Sequence, residues 1–291
     1  MESILSKAGT MPKSTTALSR VFRAISSRRV RRAILKGRHV IRRSISRAKD
    51  DILMELRYQM LRSDFSQDRT EEKLDFDWPS INYNRASVIN LVLAAKPDAR
   101  YLEIGCASND TFNTIIAKRK IGVDPGSGGT HRMTSDEFFG SWTGEPFDVV
   151  FIDGLHTYEQ AAKDIRKSLK ILDHGGWILL HDMLPCNWLQ EHVPQLQREW
   201  TGNVWKVAFE LARTEGIEFK IFKIDYGVGV LRALSRNVQV SDLANELGDK
   251  QFYYLIQNLH RLPLVEYDEG RMWIRSQKFT ASAPLTDWPR A

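Results

Sequence analysis

The sequence predicts an α/β fold built on a doubly wound, mostly parallel sheet. From Tyr101 onward, short apolar runs typical of buried strands alternate with segments of helical periodicity. The stretch 147–185 shows this most clearly: it has the pattern strand, helix, strand, and each strand ends at an acidic residue with a histidine nearby. Because parallel strands present their carboxyl ends at one edge of the sheet, we expect the functional site there.

Composition excludes several classes of protein. The chain of 291 residues has 42% hydrophobic and 27% charged residues, which is ordinary for a globular protein. Its two cysteines, Cys106 and Cys186, cannot form a disulfide framework and lack metal-site spacing. No apolar run approaches the roughly 18–20 residues of a membrane span, and no secretory signal is recognisable. We therefore expect a cytoplasmic protein.

The positive charge is concentrated at the N-terminus. Residues 1–50 contain 14 Lys and Arg residues against two acidic ones, a net charge of +12, whereas the remaining 241 residues carry −6. Apolar residues between 21 and 62 recur at spacings of four and seven, which predicts amphipathic helices with a basic face. Three interpretations remain open: a helical extension packed on its own domain or on a second subunit, peripheral contact of residues 20–62 with the inner membrane surface, or an RNA-binding arm.

These patterns suggest three regions. Residues 1–65 form a basic arm that is partly disordered and then helical, residues 78–236 form the α/β domain, and residues 237–291 form a helical C-terminal extension packed on it. After a helix over Trp78–Lys96, the predicted strands are Tyr101–Gly105, Ile121–Asp124, Asp148–Asp153, Trp177–Asp182, Phe219–Asp225 and Gly227–Leu234. The predicted intervening helices are Thr111–Ala117, Thr134–Trp142, Tyr158–Leu172 and Leu189–Trp200.

The first two strands end in motifs that suit a nucleoside-like ligand. In residues 101–112 the strand ends at Glu103 and Gly105, and a glycine there lets the backbone approach a ligand. The glycine pattern of dinucleotide-binding proteins is absent, which argues against a nicotinamide oxidoreductase. Asp124 ends the second strand, where an acidic residue can bind ribose hydroxyls. Asp136 begins the next helix and is alternatively an N-cap.

The opening stretch supplies a different set of groups. Asp153 ends its first strand with His156 three residues later, and His181 and Asp182 end its second strand. Short connections favour neighbouring strands, so Asp153 and Asp182 are expected to lie close enough to share a cation. Two carboxylates with His181 are a suitable ligand set for a divalent metal. The alternative is that both aspartates are helix caps.

The run from Tyr101 to Pro185 resembles class I S-adenosylmethionine-dependent methyltransferases. Within them it is similar to the metal-dependent O-methyltransferases of the macrocin and mycinamicin type and to those associated with glycan biosynthesis. The resemblance is carried by the phrases IGVDP, GGTHRMTSDEFF, FIDGLHTYEQ and LHDMLP, and by GNVWKVAFEL and IDYGVGVL further on. It covers residues 78–234 and implies a Rossmann-like methyltransferase fold.

The resemblance also implies roles. Glu103 and Gly105 would lie near the methionine part of the cofactor S-adenosylmethionine, Asp124 at its ribose and Asp136 at its adenine. Asp153, Asp182 and His181 would bind a divalent metal, Mg²⁺ or Mn²⁺, with His156 as the general base. His181 replaces the acidic residue usual at that position, which shifts the expected metal toward a borderline ion.

The resulting hypothesis is a methyltransferase acting on a hydroxyl of a sugar or glycosylated small molecule. Its partners would be a small-molecule or glycan acceptor and a second copy in a homo-oligomer. Nucleic acid is not expected, since the arm is nearly free of the aromatic residues that stack on bases. The alternatives are a non-catalytic protein of the same fold that docks through its basic arm, and an RNA methyltransferase.

Overall fold

The computed structural model describes residues 49–235 and 237–277. The chain divides into two compact units, Met1–Met60 and Leu61–Ala291. In the first unit the described residues, 49–60, are helical. Residues 1–48 of the predicted basic arm, which spans residues 1–65, lie outside the described residues, and the membrane contact of residues 20–62 stays a prediction. Within the ranges that the structure describes, no helix is both long and apolar enough to cross a membrane.

The second unit is organised around one sheet with the strand order β2-β1-β3-β4-β6-β5-β7. Strand β6 is antiparallel to both of its neighbours, and all other pairs are parallel. This confirms the predicted α/β class with a mostly parallel, Rossmann-like sheet. The strands are β1 Arg100–Ile104, β2 Arg119–Val123, β3 Phe147–Ile152, β4 Leu172–Leu180, β5 Ile217–Phe222, β6 Val228–Ala233 and β7 Leu264–Val265.

Both faces of the central strands are buried. Along β3, Val149 and Phe151 belong to one hydrophobic cluster, while Val150 and Ile152 belong to another. Alternate residues of a strand point to opposite faces, so helices cover the sheet on both sides. The helices are α1 Arg85–Leu93, α2 Asp110–Thr114, α3 Ser135–Ser141, α4 Tyr158–Lys170, α5 Trp188–Glu191, α6 Trp205–Ala212, α7 Ala244–Leu247, α8 Phe252–Asn258 and α9 Tyr267–Ser276.

The register of the strands aligns their carboxyl ends. Ile104 at the end of β1 pairs with Ile152 at the end of β3, and Ile152 pairs with Leu180 at the end of β4. The next residues in the chain are Gly105, Asp153 and His181. The sheet therefore delivers the predicted site residues to a single edge, as the parallel topology requires.

Two helices differ from the prediction for local reasons. Residues Trp78–Ser80 form only a 3₁₀ turn, and α1 begins at Arg85, because the side chain of Asn84 accepts a hydrogen bond from the Ser87 amide in a capping box. Helix α5 ends at Glu191 instead of continuing to Trp200. Pro194 follows shortly afterwards, and a proline cannot donate the hydrogen bond that a helix interior needs.

Strand β4 begins earlier than predicted. Helix α4 ends at Lys170, and β4 starts at Leu172 with an irregular register opposite β3, between Phe147 and Val149. Gly175 lies in this irregular part of the strand with a φ of +71°. Gly175 and Gly176, which follow the predicted helix Tyr158–Leu172, lie inside the strand and accommodate the irregularity in the sheet.

Residues 263–277, within the predicted helical extension of residues 237–291, contain a strand as well as a helix and add to the sheet and its helical cover. Strand β7 pairs with β5 at the sheet edge, and helix α9 packs against both β5 and α1. The ring of Trp273 on α9 packs edge-on against the buried Trp177 of β4, with centroids 5.4 Å apart.

Candidate active site

A cavity of about 570 Å³ opens at the carboxyl ends of β1, β3 and β4. Its walls are the turns after these strands, the start of α1, the turn between β5 and β6, and the segment after α5. The structure thus brings together six of the eight predicted site residues: Glu103, Gly105, Asp153, His156, His181 and Asp182.

The turn after β1 contains few glycines, but its backbone has the positive φ angles that are typical of a glycine-rich loop. Gly105 has a φ of +88°, and a Cβ atom there would lie 1.9 Å from the carbonyl oxygen of Asp153. Ala107 and Asn109 also have positive φ, 42° and 69°. Such conformations are most easily adopted by glycine. The missing glycine pattern therefore does not mean that the turn itself is missing.

Glu103 is a fully buried carboxyl group in the cavity wall. Its Oε2 accepts a hydrogen bond of 2.6 Å from the Tyr101 hydroxyl, and its Oε1 has no hydrogen-bond partner among the described residues. Burial raises the pKa of Glu103 to about 7, outweighing the lowering effect of the Tyr101 hydrogen bond. A buried acceptor without a partner is costly, so Oε1 is suited to a donor that arrives with a ligand.

Asp124 does not line the cavity. Its carboxylate accepts hydrogen bonds of 2.7–2.8 Å from the backbone amides of Ala107, Gly126 and Ser127. Burial acts to raise its pKa, but these backbone hydrogen bonds lower it. In this structure Asp124 ties the turn after β1 to the loop after β2, and its oxygens are not directed into the cavity.

Asp136 does not line the cavity either. It pairs with Lys167 of α4 at 2.6 Å and lies in the first turn of α3. The expected contact of Asp136 with adenine stays a prediction, whereas the alternative of an N-cap is wrong, because Thr134 caps this helix in a capping box with Glu137. The signal for the true cap was the Thr-x-x-Glu spacing.

Asp153, His181 and Asp182 form a compact set of oxygen and nitrogen donors. One ligand atom from each residue can be chosen so that all lie within 4.8 Å of one another. The Nδ1 atom of His181 lies 2.9 Å from Asp182 Oδ1 and 3.5 Å from Asp153 Oδ1. The imidazole is 4% exposed, yet neither ring nitrogen has a partner with hydrogen-bond geometry in the described part of the chain. Two carboxylates and an imidazole nitrogen fit a divalent cation.

The charged groups of this cluster shift the pKa values of one another. Burial acts to raise the pKa of Asp153, but the positive charges of His181, His156 and Arg85 hold it well below its usual value. Burial acts to lower the pKa of His181, but Asp182 and Asp153 raise it well above its usual value. These shifts favour the ionised form of Asp153 and the protonated form of His181.

His156 lies beside this set, held by the segment after α5. Its Nδ1 is 2.9 Å from the carbonyl oxygen of Trp200, and its ring stacks on the Trp200 indole with centroids 5.5 Å apart. Its Nε2 is 3.4 Å from Asp153 Oδ1. Burial acts to lower the pKa of His156, but Asp153 and Asp182 raise it to about 9.

Two cavity residues, Arg85 and Asp225, were not identified from the sequence. Arg85 Nη1 donates to Asp153 Oδ2 at 2.7 Å, while its Nε and Nη2 donate to the two oxygens of Asp225 at 2.9 and 3.1 Å. Asp225 lies in the turn between β5 and β6 and has a φ of +45°. Burial acts to raise the pKa of Asp225, but His181 and Arg85 lower it. The available signals were the Asn84 cap and the turn sequence DYG.

The outer wall of the cavity is aromatic and acidic. The half-buried rings of Trp200 and Tyr226 and the exposed carboxylate of Glu199 line it, with Thr201 and Gln190 deeper inside. Flat aromatic faces next to hydrogen-bonding groups are suited to polar molecules with an apolar face, such as sugars.

Comparisons with solved structures give low similarity. A putative O-methyltransferase from Klebsiella pneumoniae is 14% identical, with a TM-score of 0.41, over 53% of this chain and 82% of that one. An O-methyltransferase from Bacillus cereus in complex with S-adenosylhomocysteine is 12% identical, with a TM-score of 0.40, over 62% and 90%. The MycE methyltransferase of the mycinamycin pathway, in complex with Mg and S-adenosylhomocysteine, is 13% identical, with a TM-score of 0.34, over 57% and 52%.

No curated protein matches the sequence. Residues 87–183, about a third of the chain, match the family model described as a methyltransferase domain. This segment includes strands β1 to β4 and the set Asp153, His156, His181 and Asp182. The resemblance to the macrocin and glycan-associated subgroup stays a prediction. What the comparisons show is that residues 87–183 are similar to a methyltransferase domain.

Proposed function

We propose that the protein transfers the methyl group of S-adenosylmethionine to a hydroxyl of a sugar or glycosylated small molecule, with the help of a divalent metal and a histidine base. The observation that carries this proposal is the convergence of Asp153, His156, His181 and Asp182 on the cavity that also contains Glu103. The family match to residues 87–183 supports the cofactor class.

The reaction is a direct displacement. The bond between methyl carbon and sulfonium sulfur breaks as the bond from the acceptor oxygen to carbon forms, and the hydroxyl proton passes to a base. No covalent enzyme intermediate is required, so the residues act by positioning and by stabilising charge. The cavity wall is rich in carboxyl groups, among them Glu103, Asp110 and Asp153, which suits a ligand with a positive sulfonium and an ammonium group.

Glu103 fits the ammonium group of the cofactor. Its Oε1 atom is buried without a partner in the described chain and lies in the wall next to the turn at Gly105. An ammonium donor would satisfy this oxygen and stabilise the ionised form of the carboxyl group.

His156 is placed to receive the proton. A cation bound by Asp153 and Asp182 would offset the carboxylate charges that raise the pKa of His156 and so favour its neutral form. With Nδ1–H donating to the Trp200 carbonyl, the neutral ring has the lone pair of Nε2 for an acceptor hydroxyl. Stacking on the Trp200 indole fixes the plane of the ring. A cation held by Asp153, His181 and Asp182 would lower the pKa of the acceptor hydroxyl, which otherwise lies far above 7.

The test is methyl transfer itself. Purified protein is incubated with S-adenosylmethionine carrying a labelled methyl group and a panel of sugar nucleotides, glycolipids and free glycosides, and calorimetry measures binding of S-adenosylhomocysteine. We expect binding of S-adenosylhomocysteine and labelling of at least one glycoside. Absence of S-adenosylhomocysteine binding would refute the cofactor class, whereas binding with labelling of only non-sugar hydroxyl compounds would refute the acceptor class alone.

A further inference from the structure

We propose that Asp225 and Arg85, which lie outside the candidate metal ligands, set the affinity of that site for a divalent cation in opposite directions. Asp225 raises the affinity by orienting His181, and Arg85 lowers it by competing for Asp153. The inference rests on the proposed function, because the metal site belongs to it.

Asp225 lies behind His181 as seen from the ligand set. The Nδ1 atom of His181 faces the oxygens of Asp153 and Asp182, while its Nε2 atom lies 3.5 Å from Asp225 Oδ1. A carboxylate on the far side of an imidazole favours the proton on the nitrogen next to it and leaves the lone pair of the other nitrogen for a metal. At 3.5 Å and without hydrogen-bond geometry, Asp225 acts on Nε2 through its negative charge. Asp225 thus selects the tautomer in which Nδ1 can be a ligand.

The position of Asp225 is maintained against local strain. Asp225 and Tyr226 have φ values of 45° and 58°, and the turn closes with a hydrogen bond of 2.7 Å from the Gly227 amide to the Ile224 carbonyl. Hairpin turns commonly use two residues with positive φ, but this conformation costs backbone energy when the residues are not glycine, above all at Tyr226. The cost is offset by Arg85, whose backbone amide and guanidinium donate three hydrogen bonds of 2.9–3.1 Å to Asp225.

Arg85, in contrast, lowers the affinity of the ligand set for a cation. Its Nη1 donates to Oδ2 of Asp153 at 2.7 Å, so one oxygen of a candidate ligand is already bound to a permanent positive charge. A cation at this site is repelled by the guanidinium and must share Asp153 with it. Because two more hydrogen bonds fix the guanidinium to Asp225, it does not swing away freely.

The experiment measures Mn²⁺ binding to the full chain by electron paramagnetic resonance of the free ion, without cofactor or acceptor. We expect Asp225→Asn to weaken Mn²⁺ binding by about 10–100-fold, the usual effect of losing an outer-shell partner. Arg85→Gln should tighten it by about tenfold or more, since a like charge is removed from the site. Arg85→Lys retains the charge and should stay close to wild type.

Changes of opposite sign in the Kd for Mn²⁺ distinguish this proposal from a general loss of stability in the two variants. Asp225→Asn and Arg85→Gln break the same ion pair, so a purely structural role would change their melting temperatures alike and leave both Kd values unchanged. Asp110→Asn is the matched control, because Asp110 lines the same cavity but pairs with Ser108 and does not contact His181.

Each result is decisive. Equal weakening by Asp225→Asn and Asp110→Asn would show that only net charge matters and would overturn the role of Asp225. Mn²⁺ binding by wild type with unchanged Kd in the Asp225 and Arg85 variants would overturn the inference while leaving the proposed metal site intact. No Mn²⁺ binding by wild type would overturn both, whereas S-adenosylhomocysteine binding would still report on the methyltransferase function separately.

Discussion

Glu103 offers a prediction whose magnitude follows from its burial. Its folded-state pKa of about 7 exceeds the ordinary value of 4.5, because the carboxyl group is buried. Each pH unit of such a difference corresponds to about 1.4 kcal/mol, so ionising Glu103 in the folded protein costs about 3 kcal/mol. The stabilisation associated with the protonated form is present below pH 4.5 and is lost as the pH rises through about 7.

Glu103→Gln removes this cost while its amide oxygen still accepts from the Tyr101 hydroxyl. We expect the free energy of unfolding of the variant to exceed that of wild type by about 2–3 kcal/mol at pH 8 and to be similar to it at pH 4.5. The measurement is urea unfolding followed by tryptophan fluorescence at both pH values. A difference between the two proteins that is the same at both pH values would refute the reasoning.

The same substitution tests what the ionised carboxylate does. If it binds the ammonium group of the cofactor, Glu103→Gln should weaken S-adenosylhomocysteine binding by about 10–100-fold, the range for a lost hydrogen bond between charged groups. Glu191→Gln is the matched control: Glu191 is also buried with a pKa of about 7, but it does not line the cavity. Equal weakening in both variants would contradict a direct contact between Glu103 and the ligand.

Three further predictions concern the same site, and a fourth supplies a comparison in helix α3. His156→Ala should lower kcat by about 10²–10⁴ with little change in S-adenosylhomocysteine binding, and an unchanged kcat would contradict its role as a base. Removal of divalent metal with a chelator should abolish methyl transfer, and added Mn²⁺ should restore it; full activity of the chelated protein would exclude a metal role. Gly105→Ala should lower the free energy of unfolding by at least about 3 kcal/mol, because its Cβ would meet the Asp153 carbonyl oxygen. Gly140→Ala in α3, where a Cβ meets nothing within 4 Å, should instead stabilise by about 0.5–1 kcal/mol in the same denaturation assay.

The sequence was sufficient for the sheet and for the clustering of its acidic and histidine residues. Alternating apolar strands and helices specify a parallel sheet, and in such a sheet the residues after Ile152 and Leu180 must meet at one edge. Asp153, His156, His181 and Asp182 could therefore be placed together without coordinates. Local signals also located the start of α4, where Thr157 accepts from the Gln160 amide.

The sequence predicted the structure less well where one local pattern of residues is compatible with two different backbone conformations. The glycine pattern after β1 is poor, yet Ala107 and Asn109 adopt the left-handed conformations that glycines usually supply. The energetic cost of these left-handed conformations can be offset only by contacts in the folded protein. Here the Asp124 carboxylate accepts a hydrogen bond from the Ala107 amide, and the side-chain oxygen of Asn109 accepts one from the Gly129 amide. Asp124 was correctly placed at the end of a strand, but its orientation toward the backbone depends on that loop.

By itself, the sequence determined which strand ends would carry carboxylates and imidazoles, because side-chain identity and strand order are encoded along the chain. Only the tertiary structure decided which long-range partners those groups have. Arg85 and Asp225 are 140 positions apart, and their contact depends on where α1 begins and how the β5–β6 turn is folded. The pattern of apolar and polar residues along the chain does not predict such a contact. A bidentate ion pair forms only when two distant backbone segments place their side chains within hydrogen-bond distance of each other.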